Sequence, residues 1–141
     1  MTVKVMKKEV ERKPKIGVGV YILNKQNQLF LMKRAGKFAP GTWCPPGGKV
    51  EYGEIFFATG IRETKEESNV TVKELELIGV TDDFYPEGEH YVTLHLKAVK
   101  YSGQPKIMEP EKCIEIKWFD LGKLPKNLLL STSNFLKSKK I

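Results

Sequence analysis

Three glutamates, Glu63, Glu66 and Glu67, stand close together in the chain. On a helix of about 3.6 residues per turn, their i, i+3, i+4 spacing puts all three on one face. Carboxylates that close repel one another when ionised, and an oxygen-only set of this kind suits a hard divalent cation, Mg²⁺ or Mn²⁺. An ordinary solvated helix face carries the same pattern, so the surroundings decide. Upstream stand Glu54 and Arg62. Their spacing spans about 12 Å of ideal helix, so they pair only if Glu54 sits where the chain folds back. Such a pair would hold the helix against the preceding loop. Gly47 and Gly48 allow the backbone to come close to whatever the carboxylates bind. From Gly48 to Val70 five glutamates face three bases, so the segment is net −2 and the rest of the chain +9 within a total of +7.

Gly48, Glu54, Arg62, Glu63, Glu66, Glu67 and Val70 together resemble the Nudix box, G-x5-E-x7-R-E-U-x-E-E-x-G-U with U apolar, over residues 48–70. Two positions depart from it: Thr64 replaces an apolar residue and Asn69 replaces glycine. Asn is the next best residue for a left-handed helix end, so the turn is expected to survive. The resemblance extends over residues 15–126. The segment Glu109-Pro110-Glu111-Lys112-Cys113, followed by Trp118-Phe119 and Leu124-Pro125, is similar to a MutT-like subgroup of nucleoside triphosphate diphosphatases. The resemblance implies an α/β (α+β) fold, a mixed β-sheet sandwiched between helices. It also implies Mg²⁺-dependent attack of water on a phosphorus of a diphosphate chain, with Mn²⁺ as an alternative ion. In that case Glu63, Glu66 and Glu67 hold the metal together with the backbone carbonyl of Gly47. Arg62 orients Glu63 by pairing with Glu54. The general base stays open between Glu63, Glu66 and a glutamate of a later loop, Glu109 first and Glu111 after it. The implied substrate is a (d)NTP or a modified purine dNTP, cleaved to (d)NMP and pyrophosphate. ADP-ribose or another nucleoside diphosphate derivative is the alternative, and a non-catalytic nucleotide-sensing module a third.

Base recognition is less sharply written. Phe84, Tyr85 and Tyr91 flank a loop able to reach over a nucleotide, although aromatics at strand ends also pack. Asn127 follows Leu124-Pro125, and its amide carries donor and acceptor side by side, as reading a purine edge requires. Helix capping is the competing role for it. His90 and His95 have no third ligand at zinc spacing, and Gly47-Gly48-Lys49-Val50 lacks the phosphate-loop pattern G-x4-G-K-[ST]. Trp43 and Trp118 read as core.

The elements that must position these residues can be followed along 141 residues, the size of one ordinary domain. With 40% apolar residues the chain can build one core. No apolar run approaches the ~20 residues of a membrane helix. The basic segment 1–14 lacks the apolar centre of a secretory signal. Cys44 and Cys113 show no metal-finger spacing. A cytoplasmic protein without membrane attachment is expected. Its partner is a small nucleotide rather than a nucleic acid, since no RNA-binding motif appears. Strands are expected at 15–24, 29–34, 70–83, 91–101 and 113–119, the first two as a hairpin, with a short extended piece at 42–45 and a sharp turn at Pro46-Gly47-Gly48. Helices are expected at 54–68 and 127–138. Gly60, inside the first helix, points to close packing against a sheet. Phe56-Phe57 is apolar enough for a homodimer contact, with the core as its other destination.

Overall fold

A computed structural model describes residues 12–138 and residue 141, so most of the basic segment 1–14 lies outside the described residues, as do Lys139 and Lys140. The elements in chain order are β1 (Lys15–Tyr21), β2 (Gln28–Arg34), β3 (Trp43–Cys44), β4 (Gly47–Lys49), α1 (Phe56–Ser68), β5 (Thr71–Phe84), β6 (His90–Ser102), β7 (Cys113–Asp120), a single 3-10 turn (Leu121–Lys123) and α2 (Leu130–Ser138). β4, β1, β6 and β5 form a mixed sheet in that order, in which β1 and β6 run parallel. β3, β2 and β7 form a second, antiparallel sheet. The mixed sheet and its helices are as expected; the division into two sheets is an addition. Among the described residues no helix is long and apolar enough to cross a membrane.

Alternation along the strands explains the two apolar layers. Val18, Val20 and Ile22 point one way and join Phe30, Met32, Val70 and Leu96. Tyr21 points the other way and joins Leu29, Leu31, Trp43 and Phe135 of α2. β2 is buried on both faces and therefore reads as a nearly continuous apolar run. α1 closes the first layer. At Gly60 an added Cβ would lie 3.0 Å from Leu96 Cδ1 and 3.2 Å from Leu75 and Val20, so the glycine lets helix and sheet touch. Asn69 ends α1 in the left-handed region at φ 64°, with its N–H on the Lys65 carbonyl. Trp43 is buried, and Trp118 packs partly buried against the first layer.

Two sequence expectations are corrected. β1 and β2 do not continue as a hairpin. Asn24 Oδ1 accepts the N–H groups of Gln26 and Gln28, and Leu23 bridges Leu29, but beyond this turn the strands enter different sheets. Each pairs with a strand distant in sequence instead, β1 in parallel with β6 and β2 antiparallel with β7. Gly47 and Gly48 do not turn either. The bend is at Pro46, and both glycines are extended in β4, paired with Gly19 and Val18. Glycine is needed there for close approach: a Cβ on Gly47 would stand 1.9 Å from the Val18 carbonyl oxygen. The helices begin slightly later than expected, at Phe56 and Leu130.

Candidate active site

α1 begins without a side-chain cap at Ile55. Glu54 stands just before it, where the chain folds back, and ties the loop to the helix. Its Oε1 accepts the Thr59 hydroxyl at 2.7 Å and the Glu51 N–H at 3.2 Å. Arg62 clamps the same carboxylate with two prongs, Nε to Oε2 at 2.8 Å and Nη2 to Oε1 at 3.0 Å. The pairing that spacing alone left conditional is thus made. It holds the Glu54 carboxyl down to about 2, through Arg62 first and Thr59 second. The remaining prong of Arg62, Nη1, donates to Glu63 Oε1 at 2.7 Å and Glu66 Oε1 at 3.0 Å. One guanidinium therefore ties the loop to two carboxylates of the helix, the planar multi-donor task that arginine performs and lysine does not.

Glu67 points inward from the same helix. Its Oε1 accepts the Gly47 N–H at 2.9 Å across to β4. Burial pushes its carboxyl up to about 8, and the charges of Glu63 and Glu109 add to the rise. Burial raises Glu63 as well, with Glu66 and Glu109 contributing. Gly48 lies directly beneath Glu63, where an added Cβ would fall 2.5 Å from the carboxyl carbon. Glu67 and Glu109 line one small pocket of about 40 Å³ with Gly47, Arg34, Cys44 and Cys113. Lys112 Nζ approaches Glu109 at 3.7 Å. Burial raises both thiols, Cys44 to about 11, so neither is an activated nucleophile. Glu111 is exposed and apart from this pocket. Among the described residues no three His, Cys, Asp or Glu side chains are gathered as a finished metal cage, and Arg62 spans Glu63 and Glu66. The donor set nevertheless fits a hard divalent cation. Its groups are carboxylate oxygens, and behind the larger effect of burial the neighbouring charges of Glu63 and Glu109 also disfavour an ionised Glu67.

Beside the acidic pocket lies a cleft of about 170 Å³ with Phe38, Tyr85, Tyr91 and Thr93 among its lining residues. Phe38 and Tyr85 meet edge to face at 4.8 Å, and Tyr85 meets Tyr91 the same way at 5.9 Å. Arg34 lines both spaces. Its Nε donates to the Phe38 carbonyl at 3.1 Å, and its guanidinium lies 5.3 Å from the centre of the Phe38 ring. Arg34 and Phe38 were missed by sequence reasoning. Arg34 reads as a strand end and Phe38 as loop, and only the folded chain sets Arg34 between the two spaces and Phe38 on the cleft. A basic residue closing an apolar strand, followed by a glycine-containing loop, is the signal that was available.

The other sequence-derived candidates divide. Tyr85 and Tyr91 line the cleft. Phe84, 68% exposed, stacks on His90 at 4.3 Å, and neither is among the residues lining the cleft. Asn127 is not at the cleft either. Its amide donates to the Gly41 carbonyl at 2.5 Å and its own carbonyl accepts the Trp43 N–H, so it fastens a loop and caps no helix. His95 is buried between the Tyr21 hydroxyl and Thr81 Oγ1, and burial lowers it to about 4.

A two-layered sheet whose acidic helix faces a glycine strand defines a class, and comparison with known proteins names it. The NUDIX domain family matches residues 13–138, and the chain belongs to that family. It is 35% identical over 107 residues to an ADP-ribose pyrophosphatase of Methanocaldococcus jannaschii, covering 74% of this chain and 62% of that protein. It is 34% identical over 107 residues to an oxidized purine nucleoside triphosphate hydrolase of Danio rerio, covering 75% of this chain and 66% of that protein. The chain thus spans less than two thirds of the length of these relatives. A MutT NUDIX hydrolase of Burkholderia pseudomallei superimposes with a TM-score of 0.82 at 31% identity, covering 87% of this chain and 95% of that one. The fold is therefore that of a MutT-like Nudix protein.

Proposed function

We propose that this chain hydrolyses the diphosphate linkage of a small nucleotide in a divalent-metal-dependent reaction. The preferred substrate is a (d)NTP, modified purine dNTPs included, cleaved to (d)NMP and pyrophosphate. The observation that carries this reading is the junction at Arg34, where an acidic pocket of oxygen donors meets an aromatic cleft. That juxtaposition suits a molecule with phosphates at one end and a flat ring at the other.

Glu63, Glu66 and Glu67, with the Gly47 carbonyl, are the groups that would hold Mg²⁺, or Mn²⁺ in its place. Bound there, such an ion neutralises a diphosphate chain and acidifies a water. The rest falls to the protein. Arg62, anchored on Glu54, keeps Glu63 and Glu66 in place during turnover. Glu109, met only loosely by Lys112, takes the proton of the attacking water. The Arg34 guanidinium binds phosphate oxygens as they pass from the cleft to the acidic pocket. Phe38, Tyr85 and Tyr91 enclose the base.

The relative named for ADP-ribose supports a second reading, in which the group beyond the diphosphate is a sugar. Product analysis separates the two. The panel is the four dNTPs, 8-oxo-dGTP, GTP, ADP-ribose and NADH, each with Mg²⁺ and with excess chelator. Metal-dependent monophosphate plus pyrophosphate from a triphosphate supports the first reading. AMP plus ribose 5-phosphate, with triphosphates untouched, supports the second. No turnover of any member overturns both.

A further inference from the structure

Asp83 is fully buried on β5, behind the nucleotide cleft, and the proposed hydrolysis gives it no part. Its two oxygens accept from neutral groups. Thr93 Oγ1 donates to Oδ2 at 2.5 Å, and Asn134 Nδ2, on α2, donates to Oδ1 at 2.9 Å. The sheet register fixes this arrangement: Asp83 pairs with Tyr91 and Thr81 with Thr93, so carboxylate and hydroxyl lie diagonally across neighbouring strands. Tyr91, Thr93 and His95 alternate along β6 onto one face, and Thr93 lines both the aromatic cleft and the smaller space of about 60 Å³ beside it. The two spaces share Val18, Arg34, Thr93, Leu129 and Ser131, so Thr93 stands where they join.

A threonine hydroxyl has one proton and two lone pairs. The carboxylate behind Thr93 takes that proton. Toward the cleft Thr93 is then an acceptor and nothing else. A buried acceptor left without a donor is costly, so a ring that seats against it is favoured if it offers an N–H.

We propose that this acceptor selects nucleotides whose base carries an exocyclic amino group, and that Asp83 is the positioning residue that sets its polarity through Thr93. The inference rests on the nucleotide reading of the site and deepens it. Guanine and hypoxanthine differ only in the 2-amino group. Cytosine and uracil differ at position 4, amino in one and oxo in the other, and also at N3, which carries a proton only in uracil, so the guanine pair is the cleaner comparison. One well-formed hydrogen bond, against an unpaired acceptor, corresponds to about a ten- to hundredfold difference in binding.

The test is equilibrium binding of nucleoside monophosphates, which needs no turnover. dGMP against dIMP, and dCMP against dUMP, are titrated calorimetrically into the full chain in the presence of Mg²⁺. The amino-bearing member of at least one pair should bind about tenfold more tightly. Thr93→Val should bring that ratio close to one, and Thr93→Ser should restore it, a rescue that a merely structural role would not produce. Asp83→Asn keeps the shape and still accepts from Asn134, but its amide donates to Thr93. The hydroxyl proton then turns to the cleft, so the preference for dGMP over dIMP should be lost, and that between dCMP and dUMP should reverse toward dUMP, whose O4 accepts. If Asp83→Asn does not fold, the Thr93 pair of variants decides alone. Equal binding within both pairs by the wild-type protein overturns the inference, as does a ratio that Thr93→Val leaves unchanged; in both cases the nucleotide reading stands. Failure of every monophosphate to bind overturns the inference together with the nucleotide reading on which it rests.

Discussion

Two adjacent glycines in β4 should fail in opposite ways when replaced by alanine. At Gly48 the new methyl would lie 2.5 Å from the Glu63 carboxyl carbon and 2.6 Å from its Oε2, where ordinary contact begins at 3.4 Å. Relief requires the end of one side chain to move by about 1 Å, and a misplacement of that size costs on the order of a hundredfold in rate. The overlap is with the tip of a flexible side chain, so the stability cost should stay within about 1–3 kcal/mol. At Gly47 the methyl would stand 1.9 Å from the Val18 carbonyl oxygen and 2.9 Å from its carbon. Those atoms belong to the ladder of β1, which can yield only by breaking pairs. Gly48→Ala should therefore fold and lose about a hundredfold in kcat, whereas Gly47→Ala should yield little folded protein. Thermal melting and steady-state kinetics on both variants are the assay. Full activity in Gly48→Ala, or two variants that unfold alike, would refute the reasoning that Gly48 exists to make room for Glu63.

Other outcomes follow from the same geometry. Thr64 is fully buried in α1 with its hydroxyl unpartnered, where the family pattern has an apolar side chain, so Thr64→Val should raise stability by about 1 kcal/mol in chemical denaturation. Glu54→Gln removes the charge that anchors Arg62. It should lower kcat about tenfold or more without removing any proposed metal donor, and Arg62→Lys should not substitute for the lost clamp. Combining Glu54→Gln with Arg62→Ala should cost little more than Arg62→Ala alone, as a double-mutant cycle would show. His95 is held neutral at about 4, below its ordinary 6.5, with the Asp83 charge partly opposing the drop. The unfolded chain binds that proton first, so stability is complete above the ordinary value and is lost as pH falls through 6.5 toward 4. The loss is of order 3 kcal/mol, and melting curves of the wild type and His95→Gln across that range should diverge by it.

The sequence carried the helix of the site far more clearly than the cleft. Glu63, Glu66 and Glu67 sit on one face because helical spacing is a local property. Asn69 could be placed as a left-handed terminus for the same reason. The Glu54–Arg62 contact could be stated only as a condition, since whether the chain folds back before α1 depends on where β4 goes. β1 and β2 look like a hairpin along the chain, because the competing partners β6 and β7 lie far away in sequence. Gly47-Gly48 suggests a turn, yet what these glycines supply is room against Val18 and Glu63, and no backbone propensity reports such room. Asn127 has a side chain suited to a purine edge, but the isolated bridge that sets Leu128 beside Trp43 takes it away to Gly41. Asp83 was not legible at all, and Arg34 and Phe38 only as a basic strand end and a loop aromatic. Their roles depend on the register of strands and on which loop covers which face.

Metal-dependent cleavage of a diphosphate linkage at the acidic pocket, as proposed, stands or falls on Glu67. The measurement is Mg²⁺-dependent product release by the wild type and by Glu67→Gln on the same nucleotide, with melting curves beside it. The amide keeps an oxygen for the Gly47 N–H and removes a carboxylate that burial disfavours, so the variant should be at least as stable as the wild type. Its turnover should fall by about a hundredfold or more, and the wild type should fall silent in excess chelator. Wild-type turnover that survives the chelator, or a Glu67→Gln protein with unchanged activity, would contradict the account.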